Sequence, residues 1–152
     1  GVDPEDLKRI YISPGPIYDP HGREEDPYSL RPLFYNAGFR KGDRVINTFS
    51  YHLTPAGIFC DEAINALGCV LIPTGVGNTD VQLKTMLDLQ VNGYIGVPSF
   101  LMGLIKKAEK KGYDFNRDFS MEVAFVAGEI LPNSMRRVLE ETYHIIVRQG
   151  LI

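Results

Sequence analysis

"IPTGVGNTDVQ", residues 72–82, closes an apolar run and opens a helix-like pattern. Gly75 and Gly77 form a G-x-G between the two, the place where many phosphate-cradling loops sit. A dinucleotide fingerprint needs a third glycine where this chain has Asp80, and a P-loop needs a G-K-[ST] that occurs nowhere in the sequence. A carboxylate in a first helical turn suits the helix dipole but repels a phosphate from the same place. Two readings remain: a tight turn followed by a capping box at Thr79-Asp80-Val81-Gln82, or a loop that lines a pocket through bare backbone. Both make the stretch a strand, a loop and a helix in succession, and that unit sets the fold.

The same unit repeats on either side. Arg44 to Phe49 reads as a strand. Thr54 then caps a helix with Pro55 at its first position, Ile58, Phe59, Ala63, Ile64 and Leu67 point inward, and Gly68 stops it. Cys69 to Pro73 is the next strand, and Val81, Met86 and Leu89 carry the helix that follows to about Gln90. Gly93 to Val97 is a third strand, and Ser99 caps a helix with Leu101, Leu104, Ile105 and Ala108 inward. That helix ends at Gly112, and Lys106, Lys107, Lys110 and Lys111 form a solvated positive end. Val123 to Ala127, a helix from Asn133 to Tyr143, and His144 to Arg148 complete the pattern. Strands joined by helices of this length pair in parallel with right-handed crossovers. The expected fold is α/β: a layered, mainly parallel five-stranded sheet with helices on both faces. Residues 44–152 form this subdomain, and residues 1–43, rich in proline, form an irregular segment with one short helix before Gly38.

A chain of 152 residues with 44% hydrophobic residues has the size of one ordinary domain and can bury a core. Its net charge of −3, with acids and bases interspersed, gives no extended basic surface for a nucleic-acid backbone. No apolar stretch approaches the roughly 20 residues that span a bilayer, and the first residues lack a signal-peptide pattern. A cytoplasmic protein with no membrane partner is the expectation. Cys60 and Cys69 sit among apolar residues and read as reduced packing residues. His21, His52 and His144 are scattered without metal-ligand spacing, so no metal site is assigned.

A parallel sheet gathers its strand-to-helix loops on one edge, where open α/β sheets bind ligands. The candidate loops are Ser50 to Thr54, Thr74 to Asn78, Pro98 with Ser99, and Gly128 to Leu131.

These residues resemble a family, the phenylacetate–coenzyme A ligases within the adenylate-forming (AMP-dependent) synthetases. The family's stretch L-G-A-x-V-I-P-x-x-G-G-N-T-x-x-Q is similar to residues 67–82, LGCVLIPTGVGNTDVQ. Residues 37–43, AGFRKGD, resemble the A-G-x-R-x-G-D before the first strand. Residues 49–57, FSYHLTPAG, lie over Y-G-Y-G-L-F-T-G-G, whose aromatics help line the acyl pocket. Pro98-Ser99 matches T-P-S, and Ala127-Gly128-Glu129 followed by Met135-Arg136-Arg137 resembles the adenine-contacting G-A-E-P with its downstream M-R-R.

The resemblance implies a two-step reaction in which a small carboxylic acid attacks ATP, giving an acyl-adenylate, and coenzyme A then displaces AMP. ATP/AMP, Mg²⁺ and CoA are the implied cofactors. It places Phe49, Thr54, Gly75, Gly77, Asn78, Pro98 and Ser99 at the acid, and Ser13, Gly15, Ala127, Gly128 and Glu129 at the nucleotide. Phe49 can equally end a buried strand, Thr54 can serve as a helix cap, and Glu129 can favour a helix N-terminus; His52 reads as a solvent-facing loop residue. No catalytic residue is assigned.

The chain departs from the family at two points. The phosphate loop S-S-G-T-T-G-K-P should fall over residues 12–20, ISPGPIYDP. Ser13, Gly15 and Pro20 agree, whereas Asp19 takes the lysine's place and Pro14 and Pro16 remove N–H donors. Beyond Gln149-Gly150 the family continues to an aromatic-Gly-x-[TS]-[ED] motif and a C-terminal lid domain with a catalytic lysine, and here the sequence ends at Leu151-Ile152. The expectation is a fragment or diverged ligase, inactive as this chain alone, or else a non-catalytic module that binds an acyl or nucleotide ligand or completes its site with another chain. An isolated piece would expose normally covered surface, which makes a homo-oligomer plausible.

Overall fold

Along Leu7 to Tyr11 burial alternates, and Tyr11 is the fully inward residue. That period of two makes a strand, although proline-rich surroundings hide it in the sequence. In the computed structural model, which describes residues 3–150, β1 (Leu7–Ser13) and β2 (Ile17–Gly22) pair as an antiparallel hairpin. The segment read as irregular thus contains a second, two-stranded sheet. The short helix expected before Gly38 is α1 (Leu30–Ala37), which begins where the Asp26 carboxylate accepts from the Leu30 and Arg31 N–H groups. Leu151 and Ile152, on which the expected ending falls, lie outside the described residues.

The main sheet contains β3 (Arg44–Asn47), β4 (Val70–Ile72), β5 (Gly93–Gly96), β6 (Val123–Val126) and β7 (Ile146–Gln149), in the order β4-β3-β5-β6-β7. Every pairing in it is parallel. Successive residues point to opposite faces, and both faces are covered, so the strands read as continuous apolar runs. Val45, Ile95 and Phe125 join Phe34 of α1 and Cys60 and Ile64 of α2 (Ala56–Ala66) in one core. Ile46, Tyr94, Ala124 and Val147 join Leu83 and Met86 of α3 (Thr79–Asp88) and Leu104 and Ile105 of α4 (Pro98–Lys110) in the other. Each fully buried side chain of this size contributes about 1.5–3 kcal/mol of transfer free energy. The order also explains the layering. The right-handed crossover from β3 outward to β4 lays α2 on one face, and the return to β5 lays α3 on the other. A short α5 (Phe115–Asp118) precedes β6, and α6 (Asn133–Arg137) runs into a π-helical turn at Val138–Thr142 before β7.

Local expectations fail where a neighbouring residue does the job instead. Thr54 does not cap α2: that helix starts at Ala56, with Pro55 at its cap position and no side-chain cap bond. The capping box at Thr79 is displaced by one residue, because Asn78, at φ +46°, accepts from the Val81 N–H. On α3, Gln82, Leu83 and Met86 are buried whereas Val81 and Leu89, expected inward, are exposed. Ser99 makes no side-chain cap for α4; Pro98 opens the helix. Lys107 and Lys111 are not simply solvated, since both pair with Asp80 at 3.1 and 2.7 Å and tie α4 to α3.

Candidate functional site

All five strands of the main sheet run in one direction, so Thr48–Phe49, Pro73–Gly75, Val97–Pro98, Ala127–Gly128 and Gly150 emerge on the same edge. β4 and β5 flank β3, and the chain leaves β3 toward one and returns to the other. The gap between β3 and β5 is therefore the switch point at which open α/β sheets bind ligands.

The switch point is fastened by hydroxyls. The Thr48 hydroxyl donates to the Ile95 carbonyl at 2.9 Å and lies 3.2 Å from the Tyr94 hydroxyl, which donates to the Val97 carbonyl at 2.7 Å. Burial pushes the Tyr94 phenol well above the usual tyrosine range, so it stays a neutral donor. Gly96 is required here, because a Cβ would collide with the Thr48 hydroxyl and meet the Tyr94 hydroxyl at 2.5 Å.

The loops after β3 and β4 are joined through Asn47, which is fully buried. Its Nδ2 donates to the Tyr51 hydroxyl and to the Gly57 carbonyl, both at 2.9 Å, and its Oδ1 accepts from the Phe49 N–H at 3.2 Å. Its own carbonyl accepts from the Gly75 N–H at 3.1 Å. The Tyr51 hydroxyl donates to Asp61 at 2.7 Å; burial and this carboxylate hold it far above the usual phenol range. Between the two loops lies a cleft of about 210 Å³, lined by Ser50, Tyr51, His52, Pro73, Thr74, Gly75 and Val76.

Several residues expected at the site are brought together. A Cβ on Gly75 would lie 3.8 Å from the Phe49 carbonyl, and one on Gly128 would lie 3.8 Å from the Phe49 ring and 3.0 Å from Val97. Phe49 therefore stands between the two glycines, which have φ of +65° and +86°. Ala127 is buried and donates its N–H to the Gly96 carbonyl. Glu129 accepts from the Ser99 N–H at 2.6 Å, so the loops after β5 and β6 meet at the start of α4, where Pro98 is buried. Gly77 and Asn78 stand further along, exposed at the start of α3, and Thr54 is half-buried without a cap role.

Ser13 and Gly15 belong to the hairpin. Ser13 ends β1, and Gly15, at φ +143°, is exposed between Pro14 and Pro16 at the turn. The Ile12 N–H donates to the Leu53 carbonyl at 2.9 Å, which fastens the hairpin to the loop after β3. Asp19 is exposed on β2 and pairs with His21 at 3.0 Å. This element does not fit a triphosphate: two of its three turn residues have no N–H, and its nearby charge is anionic. A larger cleft of about 380 Å³ between residues 25–31 and α2 is lined by Tyr28, Phe59 and Glu62 among others, but Glu62 is already paired with Lys8 and Arg9.

Among the described residues no cluster of three or more His, Cys, Asp or Glu side chains could hold a metal ion, and no helix is long and apolar enough to cross a membrane. Both cysteines are buried free thiols, and burial raises Cys60 to about 12. Asn47, Tyr51, Asp61 and the Thr48–Tyr94 pair were missed in the sequence. The one readable signal was Asn47 itself, an amide at the end of an otherwise apolar strand.

The fold and the loop edge together define the class, an open parallel α/β domain with a ligand-type edge at its strand ends, and solved structures share that fold. The open conformation of 2-hydroxyisobutyryl-CoA ligase, solved with 2-HIB-AMP and CoA, superposes with a TM-score of 0.88 over 97% of this chain and 34% of that one, at 18% identity. A nonribosomal peptide synthetase, FmoA3, bound to AMPPNP, superposes at 0.76 over 98% of this chain and 16% of its own, at 17% identity. In sequence the chain is phenylacetate–coenzyme A ligase-like. It is 30% identical over 105 residues to the phenylacetate–coenzyme A ligase of Pseudomonas putida, covering 69% of this chain and 24% of that protein. The corresponding ligase of Escherichia coli K12 is 25% identical over 104 residues, 68% of this chain and 24% of its own length. The chain thus spans about a quarter of the length of the curated relatives it matches. No family model matches it.

Proposed function

We propose that this chain is the acid- and adenylate-binding segment of an AMP-forming acid–coenzyme A ligase, which converts a small acyl or aryl carboxylic acid, ATP and CoA to acyl-CoA, AMP and pyrophosphate. The observation that carries the reading is the juxtaposition of Phe49 with Gly75 on one side and Gly128 on the other, at the switch point of the sheet. Glycines there leave backbone bare beside an aromatic ring, which suits a flat or short acyl group between the strand ends. The cleft between Ser50–His52 and Pro73–Val76 holds the acid, and Ala127-Gly128-Glu129 faces the nucleotide. Phenylacetate–coenzyme A ligase is the name of the relatives, and an aryl or short acyl acid is the corresponding substrate class here.

A second reading is favoured by the hairpin. Asp19, Pro14 and Pro16 deny a triphosphate both charge and donors, so we derive no adenylation step through it. On this reading the chain is a module that binds an acyl or nucleotide ligand without activating ATP, or that completes its site with another chain. Both readings predict no ATP–pyrophosphate exchange by the 152-residue polypeptide with aryl or short-chain acids, and exchange above background overturns that. Calorimetry with AMP, ATP and CoA tests ligand binding itself: heat with none of the three contradicts the nucleotide- and CoA-binding form of both.

A further inference from the structure

We propose that Gln82 is a positioning residue of the acid cleft, fixing its Thr74–Gly75 wall against its Ser50–His52 wall; this rests on the reading of that cleft as an acid site. Gln82 is 1% exposed on α3, between the buried Leu83 and Met86. A buried amide costs about 1–3 kcal/mol unless it is bonded, so an interior glutamine needs a reason. Packing is not one, because an apolar side chain of that size would serve better. Capping is not one either, because Asn78 already caps α3.

What Gln82 does is donate twice into the cleft wall. Its Nε2 donates to the Thr74 hydroxyl at 3.1 Å and to the Gly75 carbonyl at 2.9 Å. The other face of that wall is held by the Asn47 carbonyl, which accepts from the Gly75 N–H and from the Thr74 hydroxyl at 3.4 Å. Asn47 then reaches Phe49 and Tyr51 through its side chain, so one chain of bonds runs from α3 through both walls to Asp61. Gln82 Oε1 is buried and has no partner among the described residues. The amide is present for its two donors; losing them leaves the Gly75 carbonyl to the Thr74 hydroxyl alone, at 3.2 Å, and loosens the loop at Gly75, where φ is +65° and no Cβ wedges it.

The test uses the full chain with Gln82→Met and Gln82→Glu, reading the Gly75 amide by ¹⁵N NMR and hydrogen exchange and phenylacetate affinity by titration. Gln82→Met removes the donors at similar volume. It should melt within about 5 °C of the unmodified chain, exchange the Gly75 N–H about tenfold faster and bind phenylacetate about tenfold more weakly. In Gln82→Glu the introduced carboxyl is buried beside a carbonyl, which raises its pKa. The neutral acid restores a donor, so the Gly75 resonance should match the unmodified chain at low pH and move toward the Met variant as pH rises. This arm holds even if the Met variant does not fold. Unchanged Gly75 exchange in the Met variant overturns the proposal, whether or not affinity falls, and so does a Glu variant whose Gly75 resonance does not titrate. An unmodified chain that fails to bind phenylacetate contradicts the acid-site reading instead, while Gly75 still reports on Gln82.

Discussion

The strand-end edge of the main sheet and the N-terminal hairpin meet at one hydrogen bond, from Ile12 to Leu53, and they are built on opposite principles. The edge is made from buried polar groups whose donors are all used: Asn47, Thr48 and Tyr94 each bond across to the next strand or loop. The hairpin tip is solvent-exposed, and its chemistry resides in side chains that touch little else. Burial constrains residue identity at the edge through packing and hydrogen bonding. The exposed hairpin carries no such constraint, and Asp19 stands solvent-facing on β2, paired only with His21 among the described residues.

Substitutions on the two sides can break this contrast. The largest effect is expected at Gly96→Ala, where the new methyl collides with the Thr48 and Tyr94 hydroxyls; overpacking costs about 1–3 kcal/mol or more, read by urea unfolding. Asn47→Ala should follow closely. It strands the buried Gly57 carbonyl, worth about 1–3 kcal/mol without a partner, while the half-buried Phe49 N–H loses its acceptor at smaller cost. The matching change in the hairpin, Gly15→Ala, meets the Ile17 side chain at 3.0 Å and a positive φ, and should cost about 1 kcal/mol. A Gly15→Ala loss equal to that of Gly96→Ala would erase the contrast.

Smaller effects sharpen it. Glu129→Ala removes a carboxylate from the start of α4 and should cost about 0.3–1 kcal/mol, less at high salt. Smallest is Asp80→Asn. The Lys111 bond, then Lys107, holds this exposed carboxyl below its ordinary range. A depressed folded value means its contribution is present above the ordinary carboxylate range and fades as pH falls through the lowered value. The unmodified chain should therefore lose a small, salt-sensitive increment on acidification that the Asn variant lacks, seen by melting at several pH values.

The sequence made the five strands and their parallel pairing legible, though not their order in the sheet, because both faces are covered and runs such as Val123-Ala124-Phe125-Val126 read as buried strands. It made the loops legible through Gly75, Gly128 and the Ile72–Gln82 stretch. It hid the hairpin, where prolines mask the alternation from Leu7 to Tyr11. It also misplaced the caps at Thr54 and Thr79, since capping depends on backbone angles such as the left-handed Asn78 rather than on residue type alone. The Asn47 and Gln82 network was beyond sequence reasoning because its partners are mostly backbone atoms, brought within reach by loop conformations that residue type does not reveal.

The central claim is that the strand-end edge binds acid and adenylate while the hairpin does not handle phosphate. A ¹⁵N NMR titration of the chain with AMP and then with ATP and Mg²⁺ tests it most directly. The account predicts that both nucleotides shift Gly128 and Glu129 alike and leave Ser13, Gly15 and Ile17 unmoved. Shifts at the hairpin with ATP but not AMP, or no shift at Gly128 with either, would contradict it.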